Sequence, residues 1–92
     1  MMKRLNIILS TVMKRDLKRV AKRGKSLEAL YQVVTLLSEK QPLPIRYRDH
    51  ALTGNWIGHR DCHIQPDWVL IYQIDDDDLI LERTGTHSDL FG

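Results

Sequence analysis

The sequence predicts an α+β fold with two helices packed on a small, mainly antiparallel sheet, in the order β-α-α-β-β-β. Three observations carry that prediction. The chain has 92 residues, 42% hydrophobic and 28% charged, a globular balance with room for one domain, expected to span 1–92, and a core of two layers. Its first half places apolar residues at helical spacing behind helix-capping serines. From Asn55 onward the texture becomes strand-like, with β-forming runs separated by short turn signals.

Taken in order, residues 2–9 (MKRLNIIL) are rich in Leu and Ile and alternate weakly, which predicts a first strand. Ser10 can cap the following helix, where Met13, Leu17, Val20 and Ala21 form an apolar stripe with the basic residues mostly outside it. Gly24 is placed to end that helix. Ser26 can cap a second one, whose Leu27, Leu30, Tyr31, Val34 and Leu37 share a face. Pro42 and Pro44 open an irregular stretch through Gly54. Segments 56–64, 68–74 and 79–84 read as three strands, joined by a turn at Gln65-Pro66 and another at the four aspartates 75–78.

The longest uncharged apolar stretch, 5–13, is too short and too polar to span a bilayer. Lys14 and Arg15 interrupt it and no small-residue cleavage site follows, so neither a membrane span nor a secretory signal is expected. A lone cysteine, Cys62, excludes an internal disulfide framework and suits a reducing compartment, which predicts a soluble cytoplasmic protein. The net charge of +2 hides an asymmetry. Residues 1–48 hold twelve Lys and Arg against three acids, whereas 49–92 hold two against nine. Lys14, Arg15, Lys18, Arg19, Lys22, Arg23 and Lys25 fall within twelve residues. Such a run attracts phosphate backbones without reading sequence, or simply solvates the outer face of a helix; composition leaves both readings open.

Hairpin registers gather specific side chains. A symmetric aspartate turn pairs Tyr72 with Leu81, Leu70 with Arg83 and Asp67 with Thr86. A turn centred on Gln65-Pro66 pairs His63 with Trp68 and His59 with Tyr72. His63, Asp67 and His87 then share one end of the sheet, with Arg83 slightly further down its strand. His59, about 13 Å from His63 along an extended strand, belongs elsewhere. The group suits phosphodiester chemistry in RNA, where the ribose 2′-OH must lose a proton and the departing 5′ oxygen must gain one. Histidine serves either step near neutral pH, a carboxylate can be the base or hold an imidazole, and a guanidinium can meet phosphate charge. Ordinary surface polarity is the competing reading. No metal or cofactor is expected: in the segment 59–63, Cys62 should face away from His59 and His63, which are themselves too far apart for one zinc. Cys62 should instead be buried beside Trp56 and Ile64. Trp68 suits either the core or a base-stacking role, and Phe91 either stacking or a latch onto the core.

QPLP at 41–44, the spaced pattern Tyr47, Asp49, His50, Leu52, Gly54 and Trp56, then Arg60, Asp61, His63, Ile64, Pro66, Asp67 and Trp68, and finally Glu82 through His87 with the closing Leu90, Phe91 and Gly92, resemble the YafQ-type toxins of the RelE/ParE superfamily. The likeness runs from the basic first helix to the last residue. It implies a RelE-like microbial RNase fold and a ribosome-dependent, metal-independent endoribonuclease that cuts messenger RNA in the ribosomal A site, favouring A-rich codons. It places functional positions on His50, His63, Asp67, Trp68, Arg83, His87 and Phe91, with His87 as general acid, Asp67 as base or base-orienting group, His50 and His63 assisting, Arg83 on the scissile phosphate, and Trp68 and Phe91 shaping the base pocket. Only the resemblance brings in His50. The implied partners are ribosomal RNA, gripped by Lys14, Arg15, Lys18, Arg19, Lys22 and Arg23, and a DinJ-like ribbon-helix-helix antitoxin through which operator DNA is bound. The ParE branch, whose members poison DNA gyrase without catalysis, is the alternative that the histidine cluster argues against.

Overall fold

Alternation along the strands decides which side of the sheet faces the long helices and which is left for chemistry. The computed structural model describes residues 3–92. It has a four-residue strand β1 (Asn6–Leu9), helices α1 (Thr11–Lys22) and α2 (Leu27–Ser38), a two-residue strand β2 (His50–Ala51), three longer strands β3 (Arg60–Gln65), β4 (Trp68–Asp75) and β5 (Asp78–Gly85), and a short helix α3 (His87–Phe91). The strands form one sheet in the order β1-β5-β4-β3-β2, parallel between β1 and β5 and antiparallel elsewhere.

Ser10 starts α1 as its position predicts. Its hydroxyl accepts the Met13 N–H at 2.9 Å and donates to the Glu82 carbonyl at 2.7 Å, so one side chain caps the helix and ties it to β5. Met13 and Val20 from α1 and Leu30, Val33, Val34 and Leu37 from α2 pack on the even-numbered face of the central strands, with Cys62, Ile64, Trp68, Leu70 and Tyr72. The odd-numbered face carries a smaller cluster of Val69, Ile71 and Leu90, flanked by Leu52 and Trp56. It lies opposite the long helices, and among the described residues Leu90 of α3 and Leu52 and Trp56 near β2 pack against it. The polar residues of that face are therefore not swallowed by the main core.

Several expectations need correction. Residue 2, assigned to the first strand, lies outside the described residues, and β1 begins at Asn6. Tyr31 is exposed and Val33 takes its place on the buried face of α2, while Ala21 is also exposed. The stretch read as irregular contains a 3₁₀ turn (Ile45–Tyr47) and the fifth strand β2, and the strand expected from residue 56 starts only at Arg60. Trp56 sits with the second cluster, not beside Cys62. The β3–β4 turn is Pro66-Asp67, one residue later than expected, because Pro66 lacks the N–H that a ladder position needs and its fixed φ suits the first turn position. A bulge at Ile64 recovers only part of the shift, so His63 pairs Val69 instead of Trp68 and Tyr72 pairs Arg60 instead of His59. In β4–β5, Tyr72 pairs Leu81 as predicted, but a bulge at Glu82 moves Arg83 opposite Ile71 and Thr84 opposite Leu70.

Candidate active site

His50 is held by its neighbours on both sides. Arg48 takes the left-handed conformation (φ 49°), unfavourable for a side-chain-bearing residue and a local strain the surroundings must support. Asp49 is anchored to the sheet, accepting the Tyr72 hydroxyl and both Arg60 Nε–H and Nη2–H at 3.3 Å. His50 then pairs with Asp61 across β2 and β3. Its Nδ1 lies 2.8 Å from the Arg48 carbonyl oxygen and 3.1 Å from Asp61 Oδ1. The Arg48 carbonyl can only accept, so Nδ1 carries the hydrogen and donates it there, which leaves the lone pair of the neutral ring on Nε2.

His87 is placed by a helix start of unusual completeness for five residues. Thr86 caps α3, accepting the Asp89 N–H at 3.0 Å, while Asp89 Oδ2 accepts the Thr86 N–H at 2.9 Å. Asp67, at the tip of the β3–β4 turn, accepts the His87 N–H at 3.1 Å and faces His87 Nδ1 at 2.8 Å, both through Oδ1. These bonds hold the Asp67 carboxyl below its ordinary range, chiefly the one from the His87 side chain. An ionised Asp67 requires the hydrogen on Nδ1, again leaving Nε2 for proton exchange. The His63 ring lies 5.1 Å from that of His87, and the Phe91 ring 6.2 Å from it.

Asp61 lies beneath this group and is a residue that sequence reasoning missed. It is 3% exposed, and Oδ1 has no hydrogen-bond partner among the described residues. Burial pushes its carboxyl up, against the opposing pull of His50, His63 and His87, which all bear on it. Its signal was available: Asp61 and His63 share parity on one strand and therefore one face. Because the folded state favours the protonated form, Asp61 adds stability below its unfolded pKa, and that contribution is lost as pH rises through the higher folded value. Asp61→Asn is therefore expected to melt higher than the native protein at pH 7 and to lose the advantage as pH falls toward 4. Thermal denaturation across pH checks this, and a variant less stable at pH 7 contradicts it.

The remaining site expectations divide. His50, His63, Asp67, His87 and Phe91 come together. Trp68 does not belong with them as a stacking surface: its even parity sends it into the main core at 1% exposure, where Nε1–H donates to Thr84 Oγ1 at 2.8 Å. Arg83 stems from the site face, yet its Nε–H and Nη2–H go to Asp16 of α1 at 2.7 and 3.3 Å, leaving Nη1 for an external anion. Within the basic run, Arg19 pairs with Asp16, and both Arg19 and Arg23 pair with Asp89. Lys14, Arg15, Lys18 and Lys22 are exposed and make no ion pair among the described residues. Cys62 is buried and its thiol is pushed far up by burial, removing it from nucleophilic chemistry. Among the described residues, no three His, Cys, Asp or Glu side chains converge to hold a metal ion. His59, as expected, lies apart, with Nε2 at 3.2 Å from Glu82.

Asp89 joins the two sides of this arrangement. It completes the cap of α3, which carries His87, and accepts Arg23 Nη1–H at 2.6 Å from α1. Gly85 leaves it room, since a Cβ there would stand 2.8 Å from Asp89 Oδ2. Asp89→Ala is expected to loosen α3 by about 1 kcal/mol through loss of the capping box, seen as faster amide exchange at 87–91. Unchanged exchange would show that α3 is held by Leu90 and Asp67 alone.

Comparison with known proteins adds four likenesses. A family model described as the bacterial toxin of type II toxin–antitoxin systems, YafQ, matches residues 5–92. The mRNA interferase toxin YafQ of Escherichia coli K12 is 49% identical over 79 residues, covering 85% of this chain and 86% of that protein. Among solved structures, the crystal structure of the E. coli DinJ–YafQ toxin–antitoxin complex matches with a TM-score of 0.89 at 46% identity, covering 97% of this chain and 99% of the matched one. A copper-bound mutant toxin from Helicobacter pylori matches with a TM-score of 0.91 at 40% identity, covering 95% and 99%.

Proposed function

The chain belongs to the YafQ family of bacterial type II toxin–antitoxin toxins, and on that premise we propose that it is a ribosome-dependent endoribonuclease that cuts messenger RNA in the A site and halts translation. The observation that carries the catalytic reading is the pairing of two imidazoles, His50 and His87, each with Nδ1 tied to an acceptor and Nε2 free. One free nitrogen can take a proton while the other gives one.

His50 Nε2 removes the ribose 2′-OH proton as that oxygen attacks the adjacent phosphorus. The bond from phosphorus to the 5′ oxygen breaks, and His87, in its imidazolium form, donates its Nε2 proton to that oxygen. The products are a 2′,3′-cyclic phosphate and a 5′-hydroxyl. Asp67 acts as the orienting group, because an exposed carboxylate already accepting two bonds from His87 is a weak base. His63 and Arg83 Nη1 meet the charge that builds on the non-bridging oxygens. Phe91 stacks against a base, and Trp68 supports the sheet from the core side. Every proton transfer is assigned to a side chain, so the reaction needs no metal.

The cationic face of α1 supplies docking. Lys14, Lys18 and Lys22 lie four residues apart and follow one stripe, open to phosphates of ribosomal RNA. Arg15 extends it, and Arg19 and Arg23 contribute while also bracing α3. Because phosphates carry no base information, the ribosome presents the codon and these contacts only position the toxin. Lys14, Lys18 and Lys22 changed together to Glu should weaken ribosome binding and flatten its salt dependence. An unchanged salt series would move the docking face elsewhere. The antitoxin is a DinJ-like protein, by analogy with the DinJ–YafQ complex, and operator DNA is reached through that complex. The site of action is the cytoplasm, where the ribosomes are; among the described residues no helix is long and apolar enough to cross a membrane.

Mapping the 5′ ends of cellular transcripts shortly after induction tests the reading. In-frame cuts within codons support the interferase. Intact transcripts with broken chromosomes would instead point to gyrase poisoning, for which several proton-transfer groups at one end of a sheet have no use.

A further inference from the structure

A cavity of about 410 Å³ opens beside His63, lined by Arg46, Tyr47, Arg48, Ile64, Gln65 and Pro66. Its size is that of a pocket for a small organic ligand. We propose that this pocket is a second nucleotide subsite, taking the base and phosphate of a messenger RNA nucleotide next to the scissile link, with Arg46 and Arg48 as its phosphate ligands. The proposal rests on the ribonuclease reading and extends it to a place and two residues that the catalytic cluster does not include.

Position argues for it first. His63 lines the pocket and also faces His87, so an occupant of the pocket abuts the reacting group. Arg48 is bound into the same machinery through its backbone, since its carbonyl accepts the His50 Nδ1–H that sets the base tautomer. Phe91 also lies near His87, its ring centroid 6.2 Å away. The pocket beside His63 and the Phe91 ring beside His87 thus offer two separate places next to the cluster, as two neighbours of a cleaved link in single-stranded RNA require.

Chemistry argues for it next. Arg46 and Arg48 are both exposed and neither makes an ion pair among the described residues, unlike Arg19, Arg23, Arg60 and Arg83. No carboxylate is among the residues lining the pocket, so its walls offer neither arginine a counter-charge. The Arg46 guanidinium is pre-arranged, 4.8 Å above the Tyr47 ring with Nη2–H donated to the Tyr47 hydroxyl at 3.0 Å. A guanidinium so placed can stack on a base or fork a phosphate. Ile64 and Pro66 give the walls an apolar surface for a base. Gln65, whose Oε1 accepts Lys25 Nζ–H at 3.4 Å, keeps its amide nitrogen to donate to a base edge.

The test measures binding to ribosomes in two states, one with messenger RNA filling the A site and one with a message ending at the P-site codon. A 2′-deoxy sugar at the scissile position prevents cleavage. For the native toxin, the A-site message should raise affinity. In the double variant Arg46→Ala with Arg48→Ala, that message-dependent gain should fall by at least about tenfold. Its log–log salt slope should fall by about 0.7 for each phosphate that is no longer neutralised. Affinity for ribosomes with an empty A site should stay the same, and the two Lys replacements should restore part of the gain. An undiminished gain overturns the proposal. So does an equal loss on both ribosome states, which would assign the arginines to ribosomal RNA, or a loss confined to antitoxin binding. Melting temperature verifies folding, and Arg48→Ala alone, at an exposed side chain, serves if the double variant melts early. A native toxin that gains nothing from an A-site message would sink the ribonuclease reading itself, a different result from failure of the pocket.

Discussion

Replacing His87 with Ala is expected to lower messenger RNA cleavage on purified ribosomes by about 10²–10⁴-fold, the usual worth of one positioned acid or base. Ribosome binding and the fold should hardly change. His87 is exposed at the start of α3, and what fixes that helix is the Thr86–Asp89 box and buried Leu90, not the imidazole. The expected signature is a fall in maximal rate at unchanged half-saturating toxin concentration. Asp67→Asn gives the informative comparison. The amide can still accept the His87 backbone N–H, but it no longer supplies the carboxylate that fixes the tautomer. A partial loss with an altered pH profile is expected there. Full cleavage by the His87→Ala variant would remove the acid from the account.

Asp16→Ala is expected to have the largest effect on stability. The Asp16 side chain is fully buried, and its two oxygens accept Arg83 Nε–H, Arg83 Nη2–H, Arg19 Nη2–H and the Thr84 N–H. The last of these satisfies the edge of β5 where β1, paired only as far as Leu81, no longer covers it. Removing the carboxylate leaves a half-buried guanidinium and a buried amide without partners. Breaking a buried pair from one side costs about 3–5 kcal/mol. At about 4–8 °C per kcal/mol for a chain of this size, melting should fall by more than about 10 °C. Arg4→Ala, which breaks the exposed pair with Glu39, should move melting little, since such surface pairs are worth about 0–1 kcal/mol. An Asp16→Ala protein melting within about 2 °C of the native one would show that the network is incidental.

The fold class was legible because its signals are local. Ser10, the β-forming runs of the central strands and the aspartate turn each announce themselves, and Asp76 takes the left-handed turn conformation (φ 52°) that aspartate tolerates. The clustering of His63, Asp67 and His87 was legible too, as a consequence of two hairpins folding back to one end. What escaped were features set by interactions distant in sequence. The bulges at Ile64 and Glu82 shift the register by one, and only the missing N–H of Pro66 hinted at the first. Trp68 read from the sequence as either a core or a stacking residue, and its shared parity with Leu70 and Tyr72 decides for the core. Asp16 sits among basic residues on a helix and reads as solvated; its burial depends on β5 having a free edge there. His50 could be placed only by likeness, since its position follows from Asp49 gripping Tyr72 and Arg60 across the sheet.

In the proposed reaction a 2′-OH of the message is the nucleophile and side chains alone move the protons. The most direct measurement programs purified ribosomes with two messages, identical except that one carries a single 2′-deoxy sugar at the scissile position, and analyses the ends produced by the toxin. The ribose message should yield a 2′,3′-cyclic phosphate and a 5′-hydroxyl, and the deoxy message should remain whole. Cleavage of the deoxy message, or a 5′-phosphate end from either, would mean that water attacks instead and would rule out the 2′-OH as nucleophile.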